Sequence, residues 1–134
     1  MSGGLGEPLP VDPDETTEQL TRPALAVDVV LRDIRSSNIF SATAARVRVG
    51  RSTECEIVIP VQATEGVSRV HCEFGIDSFG SVVLLDAGST NGTLLNGARV
   101  TAPTRVQAQQ AIALGDQGPT LMIESVGLTR QPEG

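Results

Sequence analysis

The sequence has no lysine, no tryptophan and no tyrosine, and only three phenylalanines, Phe40, Phe74 and Phe79, in 134 residues. The core therefore has to be aliphatic. The chain also lacks the aromatic platform on which single-stranded nucleic acid stacks. There is one histidine, His71, and the two cysteines, Cys55 and Cys72, form no CxxC pair, which leaves a zinc site without ligands. Two cysteines also make a poor disulfide framework, and both read as small apolar residues. No run approaches the ~20 apolar residues of a membrane span. The N-terminus lacks the basic and apolar regions of a secretory signal, so the expected location is the cytoplasm, with no membrane partner.

Basic charge is scarce and of one kind. Ten arginines face 16 acids, for a net charge of −6. The imbalance is local: Glu7, Asp12, Asp14, Glu15 and Glu18 lie in the first 20 residues, which hold no base. The remaining chain, with eleven acids and ten arginines, is nearly neutral. A net-negative chain without a basic block argues against nucleic acid or an anionic membrane as partner.

What is present in quantity is short apolar runs. Residues 1–23 are rich in Gly, Pro, Asp, Glu and Thr without apolar periodicity, and are expected to be a disordered acidic tail. From residue 24 the pattern becomes β-branched runs separated by Gly, Asn, Asp and Ser. Alternation predicts strands at Ala24–Ile34 and Ala45–Val49, with Val47 and Val49 inward and Arg46 and Arg48 outward. Further strands are predicted at Ile57–Ile59, Val70–Ile76, Val82–Asp86, Thr93–Leu95, Ala98–Val100, Ala111–Leu114 and Thr120–Val126. Asn96-Gly97 is a two-residue hairpin signal. No stretch has the pattern of an amphipathic helix. The implied class is all-β, an antiparallel sandwich or barrel. The folded domain is placed at 24–127, with 128–134 a flexible C-terminal end.

Three clusters of hydrogen-bonding residues fall at strand ends. They are Gly50-Arg51-Ser52, Val67-Ser68-Arg69-Val70-His71, and Gly88-Ser89-Thr90-Asn91-Gly92-Thr93, the last followed by Asn96-Gly97. Together they offer guanidiniums, hydroxyls, an amide and glycine-rich backbone. They include no paired carboxylates and no nucleophile beside a base, so no enzyme activity, cofactor or metal is expected.

The order Gly-Arg, Ile/Val strand, Ser-Arg-x-His, Ser-x-Asn-Gly-Thr, Asn-Gly resembles the forkhead-associated (FHA) domain, a phosphothreonine-binding β-sandwich. The resemblance spans about Ala24 to Val126. It implies an antiparallel β-sandwich of about eleven short strands of the FHA/SMAD-like type. It implies that Arg51 contacts the phosphopeptide at or beside the phosphate, and that Ser68 bonds a phosphate oxygen. Arg69 adds a phosphate contact, Thr90 helps hold the phosphothreonine, and Asn91 bonds the ligand backbone. Gly50, His71, Gly92, Thr93 and Asn96 are scaffold positions under the same resemblance. A phosphothreonine carries about −1.5 to −2 charges and three acceptor oxygens. Arginine's planar fork suits it. Two or three charge-assisted bonds of roughly 1.5–3 kcal/mol, less ordering costs, point to affinity of ~1 μM. The implied partners are phosphothreonine proteins, such as a bacterial Ser/Thr kinase or its substrates, met by a monomer.

Two departures from the family pattern stand out. Pro60–Val67 is a few residues longer than usual, and Gln107-Ala108-Gln109-Gln110 replaces a Gly-Asp turn. In the tail, Glu15-Thr16-Thr17 is similar to the Glu-Thr-Thr of short bacterial regulators that inhibit 2-oxoglutarate-consuming enzymes. Thr16 and Thr17 are thus candidate phosphorylation sites, whose phosphorylated form would dock on the chain's own domain. The alternative is an N-terminal sensor of a larger bacterial regulator.

Overall fold

The structure is a computed structural model that describes residues 25–130. The tail with Thr16 and Thr17, and residues 131–134, lie outside the described residues. Eleven strands run in chain order: β1 Leu25–Asp33, β2 Ile39–Ala44, β3 Val47–Gly50, β4 Ile57–Val58, β5 Cys72–Ile76, β6 Val82–Asp86, β7 Thr93–Leu95, β8 Ala98–Arg99, β9 Thr104–Arg105, β10 Ala111–Leu114 and β11 Thr120–Arg130. They form two sheets, β2-β1-β11-β10-β7-β8 and β4-β3-β5-β6-β9. Every pair is antiparallel except β3 with β4, which run parallel. One 3-10 turn, Val61–Ala63, interrupts the β4–β5 connection. Among the described residues, no helix is long and apolar enough to cross a membrane.

The alternation in the sequence accounts for the core. Val27, Val29 and Leu31 of β1 are fully buried and meet Val47, Val49, Phe74, Leu84, Ile112, Leu114, Leu121 and Ile123 between the sheets. Arg46 and Arg48 face outward and pair with Glu73 and Glu56. Phe74 is the one fully buried aromatic; Phe40 is half-buried and Phe79 is 81% exposed. The core is aliphatic, as the composition requires. Burying a Leu, Ile or Phe side chain contributes about 1.5–3 kcal/mol, so these residues supply most of the driving force.

Two strands escape the sequence pattern. β2, Ile-Phe-Ser-Ala-Thr-Ala, is an edge strand with half-buried and exposed residues alternating, so its small side chains give a weak signal. β9 is two residues long and pairs only with Val83 and Leu84. The C-terminal boundary also moves. Leu128, Thr129 and Arg130, expected in a flexible end, continue β11 by pairing with Val27, Ala26 and Leu25. The start of β1 presents unmet backbone groups, and the ladder extends to satisfy them.

The Asn96-Gly97 turn has φ of 50° and 85°, both positive, as a tight hairpin between β7 and β8 needs. The Asn96 side chain also accepts the Ala111 amide at 2.8 Å, tying the hairpin to β10. At Gln109 the chain adopts φ of 73°, where the residues replacing Gly-Asp put a glutamine in a glycine-favouring conformation.

Candidate functional site

One end of the sandwich gathers the connections β3–β4, β4–β5 and β6–β7. They enclose a surface cleft of about 480 Å³ lined by Arg51, Gly66, Val67, Ser68, Arg69, Val70, Gly88, Thr90 and Asn91. Arg51, Ser68, Arg69, Thr90 and Asn91 come from three separate segments and meet here.

Gly50 allows the close approach that builds the cleft floor. A Cβ at this position would lie 2.2 Å from the Arg69 carbonyl oxygen and 2.9 Å from the Val70 Cα. Without it, the backbones interlock: Arg51 N–H donates to Ser68 O at 3.2 Å, Ser52 N–H to Arg69 O at 3.0 Å, and Ile59 N–H to Gly50 O at 2.8 Å. The parallel β3–β4 pair thus carries Arg51 to the lip. Its Nε donates to Val67 O at 3.0 Å, which fixes the side chain, and both terminal nitrogens are without a hydrogen-bond partner among the described residues.

Ser68 is positioned by His71. The Ser68 amide donates to His71 Nδ1 at 3.1 Å, and His71 Nε2 lies 2.7 Å from Gly92 O. Nδ1 must accept, so Nε2 carries the proton and donates to the carbonyl. His71 is fully buried and links the β4–β5 and β6–β7 connections as a scaffold residue. Ser68 Oγ in turn accepts the Thr90 amide at 3.0 Å, which leaves its own hydroxyl proton to donate. Asn91 Nδ2 donates to Gly66 O at 3.0 Å. Its Oδ1 has no partner among the described residues. Arg69 is exposed at the rim.

The β6–β7 connection is held by a residue the sequence reading passed over. Asp86 ends β6 and accepts from the hydroxyls of Ser89 and Thr93 and from the amides of Gly88 and Ser89. Burial alone would raise its carboxyl, but the Ser89 and Thr93 bonds and the two amides outweigh burial and hold it below the ordinary value. The available signal was an acid closing an apolar run three residues before a serine, the pattern of a side-chain-capped turn. Thr93 is fully buried, and Gly92 turns the chain with φ of 89°. Gly115 was also missed. A Cβ there would lie 2.8 Å from Asn91 Cβ, a contact 24 positions away that no local pattern reveals.

Glu56 takes the Arg48 guanidinium and amide, and that hydrogen bonding lowers its carboxyl. Cys55 and Cys72 are buried free thiols, both pushed up by burial. Among the described residues, no cluster of three His, Cys, Asp or Glu could hold a metal ion.

Two packed sheets with hydrogen-bonding loops gathered at one end describe a β-sandwich of the interaction-module class. The family model of the FHA domain matches residues 47–115, just over half the chain, and the protein belongs to the FHA domain family. The human angiogenic factor with G patch and FHA domains 1 is 29% identical over 107 residues, which are 78% of this chain and 15% of that protein. The chain thus spans a small part of that relative's length. The Mycobacterium tuberculosis Rv1747 FHA-1 structure is 30% identical with a TM-score of 0.57, covering 76% of this chain and 98% of that one. An FHA domain solved in a study of phosphothreonine-dependent FHA domain interactions is 26% identical with a TM-score of 0.58, covering 79% and 99%. FHA domains are non-catalytic interaction modules.

Proposed function

We propose that this chain binds phosphothreonine peptides at the Arg51–Ser68–Asn91 cleft and has no catalytic role. One observation carries the reading. The internal bonds of the cleft orient its donors without using them up: Arg51 keeps its terminal nitrogens and Ser68 keeps its hydroxyl proton. A phosphate brings three acceptor oxygens to such a set. Asn91 Oδ1 is left to accept a ligand backbone amide, and exposed Arg69 and Thr90 complete the rim. The phosphothreonine-dependent interactions of a 26%-identical FHA domain support the assignment. The partners are then phosphothreonine proteins of a Ser/Thr kinase pathway in the cytoplasm.

The test is calorimetric titration with a degenerate phosphothreonine peptide pool and its dephosphorylated control. Binding near ~1 μM is expected for the phosphorylated pool alone. Arg51→Ala and Ser68→Ala should each weaken it by at least tenfold while leaving the melting temperature close to wild type, because both side chains project from the cleft rather than the core. Equal binding of both pools would sink the reading.

A further inference from the structure

Of the arginines among the described residues, four pair with an acid, and Arg35, Arg51, Arg69, Arg99 and Arg130 do not. Arg32, Arg46, Arg48 and Arg105 pair with Glu124, Glu73, Glu56 and Asp77. Arg99 has no acidic partner or side-chain hydrogen bond among the described residues; it does not line the cleft itself but lies against Gly92, next in the chain to the cleft residue Asn91. It lies on β8, opposite Leu94 of β7, and its guanidinium packs on Gly92. A Cβ on Gly92 would be 3.0 Å from Arg99 Cζ and 3.1 Å from one terminal nitrogen. Gly92 leaves room for the guanidinium at this close range. Gly92 follows Asn91, the residue positioned to hold the ligand backbone.

The surroundings of Asn91 are also asymmetric. In the sheet, β7 lies between β8 and β10. Arg99 stands on the β8 side. On the β10 side, Gly115 packs on Asn91 and leads directly into exposed Asp116, while Gly66, whose carbonyl takes the Asn91 amide, follows exposed Glu65. A peptide crossing Asn91 therefore passes from acids to an arginine within a few residues, at ~3.3 Å of extended chain per residue.

We propose that Arg99 is a specificity-determining residue that selects an acidic side chain on one flank of the ligand's phosphothreonine, the flank lying over β8. This rests on the phosphopeptide reading of the same cleft. An exposed ion pair contributes modestly, so the expected preference is a factor of about two to five.

The experiment uses phosphothreonine peptides on an alanine background, with single glutamates at each of three positions before and after the phosphothreonine. Each is titrated against wild type, Arg99→Ala, Arg99→Gln and Arg99→Lys, with melting temperatures as a fold control. In wild type, glutamate on one flank should tighten binding by about two to five times. The advantage should vanish in Arg99→Ala and Arg99→Gln, survive in Arg99→Lys, and shrink at 1 M salt. The all-alanine peptide should bind all four proteins equally. The inference is overturned if no flanking glutamate helps, if the advantage persists in Arg99→Ala, or if that variant weakens every peptide alike. In each of these cases phosphothreonine recognition stands. Wild type failing to prefer phosphorylated over plain peptide would remove the phosphopeptide reading and the inference together.

Discussion

The two ends of the sandwich use the same turn device and reach opposite results. At the far end, Asp77 closes β5 and its Oδ1 accepts the Phe79 and Ser81 amides, both at 2.9 Å. At the cleft end, Asp86 closes β6 and accepts the Gly88 and Ser89 amides in the same manner. At the far end the nearby cation is consumed: Arg105 pairs with Asp77 and lies 5.5 Å from the Phe79 ring centroid. At the cleft end Asp86 takes only hydroxyls and amides, and Arg51 and Arg69 pair with no acid among the described residues. The difference teaches that the tight turns serve architecture at both ends. What sets the cleft end apart is that its hydrogen bonds place cations without pairing them to an acid among the described residues.

The largest effect expected from breaking this comparison comes from the glycine beneath the cleft. Gly50→Ala would drive a methyl group into the Arg69 and Val70 backbone, which has no flexible side chain to move aside. Overpacking against backbone should cost about 3 kcal/mol, seen as a fall in melting temperature on the order of 15 °C. Phosphopeptide binding should go with it, since Arg51 and Ser68 hang on that backbone contact. At the far end, Gly80 has nothing within 4 Å of a Cβ position. Gly80→Ala carries only its backbone strain at φ of 79°, about 1 kcal/mol, and should leave binding intact.

Next in size is the exchange of the two aspartates. Asp86→Ala strands the Thr93 hydroxyl in a fully buried position and frees the β6–β7 connection. A cost of about 2 kcal/mol in urea unfolding is expected, with loss of peptide affinity. Asp77→Ala should cost less and spare affinity, because its turn is exposed. The acid limb of stability has a defined sign. Hydrogen bonds lower both carboxyls in the folded state, the Ser81 amide foremost for Asp77, and the hydroxyl and amide bonds against burial for Asp86. Their stabilisation is complete above the ordinary value near 3.8 and is lost as pH falls through the lower folded values. Unfolding midpoints taken from pH 5 down to pH 2 should fall more steeply in wild type than in Asp86→Ala.

How much of this was legible in the sequence follows from the range of the forces involved. Val27, Val29, Leu31, Val47 and Val49 announce themselves by alternation, a local property, and they define the core. Arg51, Ser68, Arg69, Thr90 and Asn91 could be grouped in advance because their order along the chain is a recurring one, and the fold brings them to one cleft. β2 was not, since Ser41, Ala42, Thr43 and Ala44 take their strand conformation from pairing with Val30, Val29, Asp28 and Val27, and not from their own propensity. Asp86 and Gly115 matter through Thr93 and Asn91, partners that only the fold supplies. Arg99 stood in the sequence as one more arginine until the strand order put it against Gly92.

The smallest predicted effect tests whether the far end is free to change. Gln109, in the turn before β10, holds φ of 73°, a region that costs an L side chain about 1 kcal/mol. It keeps that conformation because its amide donates to Ile123 O at 2.7 Å and the Gln110 carbonyl accepts the Ile123 amide at 2.9 Å. Gln109→Gly relieves the strain and preserves both backbone bonds, but it loosens the unfolded chain. The balance should favour the folded state by about 0.5 kcal/mol, measurable as a higher urea midpoint with an unchanged slope. The turn lies at the far end of β10 from Gly115, so phosphopeptide affinity should not move. A stabilised variant with altered affinity would mean that strain at this turn is transmitted along β10 to Asn91, and that the two ends are not independent.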